Sequence, residues 1–567
     1  MNEITIIKSF LEHYQNERYE EAEKLALLLT REFPNNQFGW KALGAIFGQT
    51  DRKSEALNAN QKAVHLVPQD HEAHNNLGNV LIDLGRSEEA VASFRQAIIL
   101  KADFAEAHNN LGVTLNKLER SEEAVVSCRK AIALKSNYAE PHNNLGIALS
   151  EIGKTEEALA SYRQAIALKS NYAEAYLHLC ELLEKSNKLD DALLVIKNAK
   201  EKVEEHETAF SVYEALILFR QEDYKHIDRL IAKINTDKLY GNRKIIFLKL
   251  KADWYQYKKN FDVAFETYKF TNNLVKEFPE YKKQKAEKFF NEQRKKVFQV
   301  ESLQKRSLYK TAVQATWLQP TFLVGFPRSG TTLLDTILRS HSKIHVIEEK
   351  PMIEEMKKKL GYLDIFEIEK VDSTAADIAS SFYFEEVKKH VELGKDSIII
   401  DKLPLNILDL SLINQIFPQA KFILALRHPL DCILSCWMQN FKMNPAMANM
   451  IDLDRIVDFY CTAMQILSIS QKRYKLNIHQ IRYEDLVSNF EGEISNILTF
   501  LNLKWENGLN DYQKTAANRG KIFTPSYSQV IKPIYNTATY RWKNYEKYLG
   551  TYKKKLNYWL NEYQYLS

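Results

Sequence analysis

The chain is poor in cysteine and has no long uncharged apolar run. Five cysteines in 567 residues are too few to build a disulfide framework, which indicates a reducing compartment. No segment approaches the roughly 18–20 apolar residues that a membrane-spanning helix needs. The first residues also lack the basic stretch followed by an apolar run that marks a signal peptide. We therefore expect a cytoplasmic protein without a transmembrane segment.

An excess of charge of one sign is also missing. The 78 lysines and arginines are nearly balanced by 73 aspartates and glutamates, which leaves a net charge of +5. A nucleic-acid-binding protein would show a concentrated basic face, so we expect no nucleic-acid partner. Cys432 and Cys436 lie one helical turn apart without a histidine or further cysteine nearby. We expect them to pack inside a helix, and we expect no metal site.

The first half of the chain repeats itself every 34 residues. The phrases EAHNNLG, EAHNNLG and EPHNNLG end at Gly78, Gly112 and Gly146, and Gly44 lies one more step back. Small residues recur in the same frame, as is needed where two helices cross closely. These residues are Ala56, Ala90, Ala124, Ala158 and Ala192, and then Ala63, Ala97, Ala131, Ala165 and Ala199.

This period and pattern resemble the tetratricopeptide repeat. The resemblance implies an all-α superhelix over residues 1–280, in which each helix pair buries its face against its neighbours. The repeat signature is lost over 207–244, and a weaker copy ends near Pro279. Residues 281–317 form a basic stretch that we interpret as a helical connector. Because such stacks present a concave surface, we expect a polypeptide acceptor or a protein partner to bind there.

Asparagine pairs stand on the first helix of successive repeats. A side-chain amide both donates and accepts hydrogen bonds, so a column formed by Asn76, Asn110 and Asn144 can hold an extended peptide independently of its sequence. The array is similar to that of O-linked N-acetylglucosamine transferases, which use an asparagine ladder in this way. The alternative is that these asparagines are solvated consensus residues.

From residue 318 the pattern changes to short apolar runs that alternate with helical segments. The runs are TFLVG (321–325), SIIID (397–401), KFILAL (421–426) and HQIRY (479–483). Such alternation predicts an α/β domain over 318–567 with a central parallel sheet covered on both faces. Ligands of these folds bind at the carboxyl ends of the strands. The sequence places Arg328, Lys402, Arg427 and Tyr483 at those ends.

The loop GFPRSGTT joins the first predicted strand to a helix. Its two glycines have the spacing of a phosphate-binding loop, but Thr331 replaces the lysine of that motif. The backbone N–H groups at the helix N-terminus still form an anion site, to which Thr331 and Thr332 add hydroxyl groups. The missing lysine argues against a nucleotide kinase or an ATPase. It favours a ligand that ends in a phosphate or phosphosulfate group and has no triphosphate tail.

With four later motifs, this loop resembles the signature of sulfotransferases that use 3′-phosphoadenosine 5′-phosphosulfate (PAPS). The later motifs are IEEKP, ALRHPLDCILSCW, RYEDL, and TPSYSQVIKP followed by TYRW. The resemblance covers 318–567 and implies a P-loop-like sulfotransferase domain. The position of IEEKP and the phrase SQVIKP are most similar to protein-tyrosine sulfotransferases and to bacterial tetratricopeptide-repeat sulfotransferases.

The resemblance implies a binding site for PAPS. Arg427 and Ser435 would hold the 3′-phosphate, and Tyr483 would lie against the adenine. Ser526 and Arg541 would belong to the segment that closes over the nucleotide. The expected contacts with the 5′-phosphosulfate are Arg328, Ser329, Gly330, Thr331 and Thr332.

The resemblance also implies in-line transfer of the sulfuryl group to an acceptor hydroxyl. Glu349 would take the acceptor proton, and its neighbour Glu348 is the alternative base. Lys402 would stabilise charge on the bridging oxygen. Arg328 would neutralise the sulfuryl oxygens with help from Ser526. No metal is required.

The acceptor and the oligomeric state are left open by the sequence. Protein tyrosine is the leading interpretation, but tyrosine sulfotransferases have arginines two and six residues after the base, where this chain has Pro351 and Glu355. The second interpretation is the same chemistry on a carbohydrate or small-molecule hydroxyl, with the repeats used for assembly. A third is an inactive repeat scaffold, although every polar residue that the chemistry needs is present.

Overall fold

A computed structural model describes most of the chain. The described residues are 2–203, 206–302, 319–361, 373–392, 394, 397–519, 524, 527–530 and 538–565. They form two compact units, Met1–Tyr213 and Glu214–Ser567. Among these residues, no helix combines the length and the apolar character needed to cross a bilayer.

The first unit is an array of antiparallel helix pairs, which confirms the predicted all-α superhelix of repeats. The bounds are α1 (Glu3–Gln15), α2 (Tyr19–Glu32), α3 (Gln37–Gln49), α4 (Lys53–Leu66), α5 (His71–Asp83), α6 (Ser87–Leu100), α7 (Ala105–Lys117), α8 (Ser121–Leu134), α9 (Ala139–Glu151), α10 (Thr155–Leu168), α11 (Ala173–Lys185) and α12 (Leu189–Lys202). Helix α13 (Glu207–Arg220) spans the division between the units.

Small residues are needed inside each pair because the two helices cross closely. All ten alanines of the repeat frame have no exposed surface. A Cβ atom built on Gly112 would lie 2.5 Å from the Sγ of Cys128, and one on Gly78 would lie 2.5 Å from the ring of Phe94. Any larger residue at these glycines would push the second helix of the pair away.

The turn inside each repeat places one residue in the left-handed region of backbone conformation. The position recurs every 34 residues, at Glu17, Asp51, Gly85, Glu119, Gly153 and Asn187. Only two of the six are glycine, the residue that adopts this conformation without steric cost. The other four repeats therefore carry local strain that the packing of the array must offset.

The second unit combines further helices with a five-stranded sheet. Before the sheet come α14 (Tyr224–Lys233), α15 (Gly241–Tyr257), α16 (Phe261–Glu277), α17 (Pro279–Lys282) and α18 (Ala286–Ser302). The strands are β1 (Thr321–Gly325), β2 (Ile344–Glu348), β3 (Ile398–Lys402), β4 (Lys421–Leu426) and β5 (Asn477–Arg482). The later helices are α19 (Thr331–Leu338), α20 (Met352–Lys359), α21 (Ser373–Lys388), α22 (Leu410–Ile416), α23 (Pro429–Met438), α24 (Leu453–Tyr474), α25 (Tyr483–Ser488), α26 (Phe490–Leu501), α27 (Tyr512–Asn518), α28 (Tyr527–Val530), α29 (Glu546–Leu549) and α30 (Lys553–Glu562).

The strands are all parallel, in the order β2-β3-β1-β4-β5, as the alternating pattern predicts. Four of them were predicted, and β2 was missed. It is an edge strand of five residues that pairs only with β3. A strand so short, with one paired side and only partial burial, leaves a weak apolar signal in the sequence.

Side chains alternate between the two faces of the sheet and build a hydrophobic core on each. Phe322 and Phe422 lie on one face with α22, α23 and α24, whereas Leu323 and Ile423 lie on the other with α19 and α26. The first core also includes Phe265 and Tyr268 of α16. The helix pair α15–α16, which continues the repeat frame, therefore shares one core with the sheet.

We expect Gly85→Ala to destabilise the repeat array by about 1 kcal/mol, because alanine is strained at the positive φ of 74°. Nothing lies within 4 Å of the added Cβ atom, so the effect isolates the backbone. The matched control is Gly48→Ala on α3, an exposed helical site with equally open space, which we expect to stabilise by about 0.5 kcal/mol. Urea denaturation followed by circular dichroism measures the change in unfolding free energy of each variant. Two changes of the same sign would contradict this account.

Asp401 gives a second prediction, on pH dependence. Burial raises the pKa of this β3 carboxyl to about 7, although the hydroxyl of Tyr383, 3.1 Å away, acts in the opposite direction. The folded state thus keeps a proton that the unfolded chain loses from about pH 4 upward, and stability falls as the pH rises to 7. We expect Asp401→Asn to remove this fall. At pH 8 its free energy of unfolding should exceed that of the wild type by about 2–4 kcal/mol.

Unfolding free energies at pH 4.5 and pH 8 test this second prediction. The exposed Asp103→Asn is the control, and it should follow the wild type at both pH values. If the unfolding free energies of Asp401→Asn and the wild type changed equally between these pH values, the carboxyl would be ionised in the folded state and the prediction would be wrong.

Candidate functional site

The loop between β1 and α19 is held by two glycines that cannot carry a side chain. A Cβ atom on Gly325 would lie 2.6 Å from the carbonyl oxygen of Ala425, and one on Gly330 would lie 2.9 Å from the Cδ2 of Tyr483. Gly330 has a φ of 103° and Arg328 a φ of 70°, so the loop turns sharply before α19 begins at Thr331. The first N–H groups of α19 consequently face this loop without intrahelical acceptors.

Arg328, Arg427, Ser435 and Tyr483 lie together around this loop. The Nε of Arg328 donates to the Oγ of Ser435 at 2.9 Å. The Nη1 of Arg427 donates to the carbonyl oxygen of Arg328 at 3.2 Å, and its Nη2 donates to that of Ala538 at 2.6 Å. The guanidinium carbon of Arg427 lies 4.8 Å above the centre of the Tyr483 ring. The sheet thus brings together side chains that are up to 155 positions apart in the sequence.

Two buried polar atoms of this group have no hydrogen-bond partner among the described residues. They are the Oγ of Ser329 and the Nε of Arg427. Buried polar atoms are nearly always paired in folded proteins, so two unpaired ones at the same loop are available to a ligand. A guanidinium N–H and a hydroxyl at the N-terminus of a helix fit the oxygens of a phosphate or sulfate group.

Lys402 and Glu349 form the second part of the site. The Nζ of Lys402 donates to Glu349 Oε1 at 2.9 Å and to Glu348 Oε1 at 3.3 Å. Burial alone lowers the pKa of Lys402, but Glu349, Glu348 and Asp335 outweigh it, and the pKa lies above its ordinary value. This lysine is therefore an ammonium ion that has no exposed surface and is fixed by carboxylates.

The two glutamates differ in exposure and in backbone conformation. The side chain of Glu349 is 32% exposed and that of Glu348 is 8% exposed, so the first is the more accessible. Glu349 also has a φ of 52°, a conformation that is strained for a residue with a side chain. Its N–H donates to the carbonyl oxygen of Lys402 at 2.9 Å, which fixes its position at the end of β2.

Asp335 and Arg519 complete the charge network, and the sequence analysis missed both. Arg519 Nη2 donates to Asp335 Oδ2 at 2.8 Å and also to Glu348 Oε2. Burial alone raises the pKa of Asp335, but Arg339, Arg519 and Lys402 outweigh it and lower that pKa below its ordinary value. The four-residue spacing of Asp335 and Arg339 was a visible signal for that pair. Arg519 is 171 positions from Glu348 and has no local signal.

The remaining predicted residues fall into three groups. Thr331 and Thr332 are buried at the start of α19, and Thr332 Oγ1 donates to Thr524 Oγ1 at 3.1 Å. Ser526 lies outside the described residues. Arg541 donates through Nε to Gln256 Oε1 at 3.1 Å, and its Nη2 lies 2.9 Å from the Sδ of Met438. The nucleotide role of Arg541 stays a prediction.

The asparagines of the repeat array connect one repeat to the next. Asn110 Nδ2 donates to Asn75 Oδ1 at 3.1 Å, and Asn144 Nδ2 donates to Asn109 Oδ1 at 2.8 Å. This structural role was not foreseen from the sequence. Asn110 Nδ2 also donates to Asn79 Oδ1 at 3.2 Å, so both of its N–H groups are in use. Peptide binding by Asn76, Asn110 and Asn144 stays a prediction.

Comparison with known proteins finds two kinds of family model that match different parts of the chain. Residues 320–507 match the model of the sulfotransferase family, and three tetratricopeptide-repeat models match residues 78–119, 103–171 and 149–216. A tetratricopeptide repeat protein from Parabacteroides merdae is 18% identical, with a TM-score of 0.37 over 44% of this chain and 98% of that one.

Two relatives are similar in sequence. An uncharacterized protein from Aquifex aeolicus is 31% identical over 303 residues, which are 52% of this chain and 38% of that protein. Protein-tyrosine sulfotransferase 1 from Danio rerio is 26% identical over 39% of this chain and 64% of its own length. The chain thus spans less than two thirds of either relative. Within this chain, residues 78–216 match tetratricopeptide-repeat models and residues 320–507 match the sulfotransferase family.

Proposed function

We propose that this chain transfers a sulfuryl group from PAPS to an acceptor hydroxyl, with protein tyrosine as the leading acceptor. One observation carries the proposal. Arg427 and Ser329 lie at the phosphate-type loop beside Arg328 and Ser435, and each has a buried polar atom without a partner in the part of the chain that the structure describes. The arginine at the strand end suits the 3′-phosphate of this donor. The loop, which lacks the lysine that binds a nucleoside triphosphate, suits its 5′-phosphosulfate.

In this proposal the donor lies across the carboxyl ends of β1 and β4. The N–H groups of Gly330, Thr331 and Thr332 and the Oγ of Ser329 bind the 5′ end. Arg427 and Ser435 bind the 3′-phosphate, and Tyr483 contacts the adenine. The guanidinium of Arg427 already lies against the Tyr483 ring, which orients both groups before the donor binds.

Transfer needs a base for the acceptor proton and a cation for the charge that develops on the leaving oxygen. Glu349 is the base in this proposal, because Arg519 and Lys402 both hold Glu348 in a buried position. As the acceptor oxygen bonds to sulfur, the bond from sulfur to the 5′-phosphate oxygen breaks. The ammonium of Lys402 neutralises that oxygen, and 3′-phosphoadenosine 5′-phosphate (PAP) leaves.

Two considerations bear on the acceptor. The relative from Danio rerio is named as a protein-tyrosine sulfotransferase, and the repeats offer a surface for a polypeptide, so we place protein tyrosine first. Glu355 stands where an arginine would select acidic peptides, and it pairs with Lys358 at 2.5 Å. We therefore expect the tyrosine peptide to lack flanking acidic residues, and a carbohydrate or small-molecule hydroxyl is the second candidate.

The donor assignment is tested by calorimetric binding of PAP and of ADP, which lacks the 3′-phosphate. We expect the wild type to prefer PAP. Arg427→Ala should weaken the binding of PAP about 10- to 100-fold, because a charge-assisted contact contributes about 1.5–3 kcal/mol. The affinity for ADP should be nearly unchanged. The control is Arg129→Ala, which removes an exposed arginine of the repeat array. Equal binding of the two nucleotides to the wild type would refute PAPS as the donor.

The base assignment is tested by transfer of labelled sulfate from PAPS to a panel of tyrosine peptides and glycans. We expect Glu349→Gln to lower kcat about 10²- to 10⁴-fold while PAP affinity is retained. Glu348→Gln is the matched control. Because it weakens the contact with Arg519, it should lower the unfolding midpoint, and it should lower kcat less than Glu349→Gln does. If Glu348→Gln alone abolished transfer, the two roles would be exchanged. Label on glycans and not on peptides would favour the second acceptor class.

A further inference from the structure

The helix pair α15–α16 makes polar contacts with the helix that carries Ser435. Lys249 of α15 is buried, and its Nζ donates to the carbonyl oxygens of Met438, at 3.2 Å, and Gln439. The same Nζ donates to Asn272 Oδ1 of α16 at 3.2 Å. Three oxygens thus lie within hydrogen-bond distance of this nitrogen, and burial lowers the pKa of Lys249 to about 7.

These contacts lie at the C-terminal end of α23. The last carbonyl groups of a helix have no intrahelical partners, so N–H donors from a neighbouring element can satisfy them. Asn272 adds to this cap, because its Nδ2 donates to the carbonyl oxygen of Trp437 at 2.8 Å. The Trp437 ring packs against Phe265 of α16, with ring centres 4.6 Å apart. Both helices of the pair therefore fix the end of α23.

The same helix pair also holds the C-terminal segment. Gln256, near the end of α15, accepts hydrogen bonds from Arg541 Nε at 3.1 Å and from the Tyr545 hydroxyl at 2.8 Å. Phe265 stacks on Tyr548 with ring centres 3.7 Å apart. One pair of helices thus connects α23 to the segment that contains Arg541.

We infer that Lys249, Asn272 and Gln256 are positioning residues of the donor site. They set the place of α23, which begins two residues after Arg427 and carries Ser435, against the C-terminal segment. This inference rests on the proposed use of PAPS. It assigns the last helix pair of the repeat frame a role in selecting the 3′-phosphate.

A lysine is suited to this position for a physical reason. Buried N–H groups are costly unless they are hydrogen-bonded. Here the oxygens of Asn272, Met438 and Gln439 satisfy them, and replacement by an apolar side chain would leave two helix-terminal carbonyls without this donor. The end of α23 would then keep the hydrogen bond from Asn272 to Trp437 and its apolar contacts, which fix its orientation less sharply than the full set of hydrogen bonds.

The test compares PAP and ADP binding in the full-length chain. We expect Lys249→Met to reduce the preference for PAP over ADP at least fivefold, since Ser435 and Arg427 would no longer be held in register. Gln256→Leu, which breaks only the contacts with Arg541 and Tyr545, should reduce it about threefold. Asn272→Ala provides a milder change at the cap should Lys249→Met fail to fold.

The control is a core variant of the same helix that does not contact α23. Ile245 of α15 packs with Val275 and Ile451, so Ile245→Ala should lower the unfolding midpoint without changing the nucleotide preference. A cap variant that lowers the midpoint and keeps the full preference for PAP would overturn the inference. A wild type without any preference for PAP would instead refute the proposed donor, and the inference would fall with it.

Discussion

The parallel pairing of β1 with β3 on one side and β4 on the other is the constraint on which the site depends. Strands that run in the same direction end at the same edge of the sheet, so the residues that follow them meet there. Lys402 is the last residue of β3, Arg427 follows β4, and the loop with Arg328 follows β1. No local interaction could bring these cations together, because they come from three separate segments.

Bringing several cations to one buried edge requires compensating charge. Glu348, Glu349 and Asp335 supply it, and each contacts or faces a cation that would be unstable if buried alone. The compensation is unequal, since Glu348 bridges Lys402 and Arg519 whereas Glu349 contacts Lys402 at its more exposed position. The same network that stabilises the buried charges thus leaves one carboxylate, that of Glu349, accessible to a substrate.

The helix pair α15–α16 shows how a repeat can be adapted to a second use. Its sequence keeps the small and aromatic residues of the repeat frame at Ala264 and Tyr268, but both side chains lie in the core that covers the sheet. Its polar residues Lys249 and Asn272 are directed at the end of α23. A helix stack can end in this way because each pair needs only a complementary apolar face, and a sheet domain supplies one as well as another repeat does.

The sequence by itself determined the features that depend on local period and spacing: the 34-residue helix pairs, four of the five strands, the phosphate-type loop and the polar residues at the strand ends. Those signals can be recognised because the burial of one face of a helix or strand imposes a period on the apolar residues along the sequence. Only the tertiary structure decided that Arg519 holds Glu348, that Asn110 and Asn144 connect repeats, and that Lys249 caps α23. These contacts join residues whose proximity comes from packing, and packing leaves no mark in the local sequence.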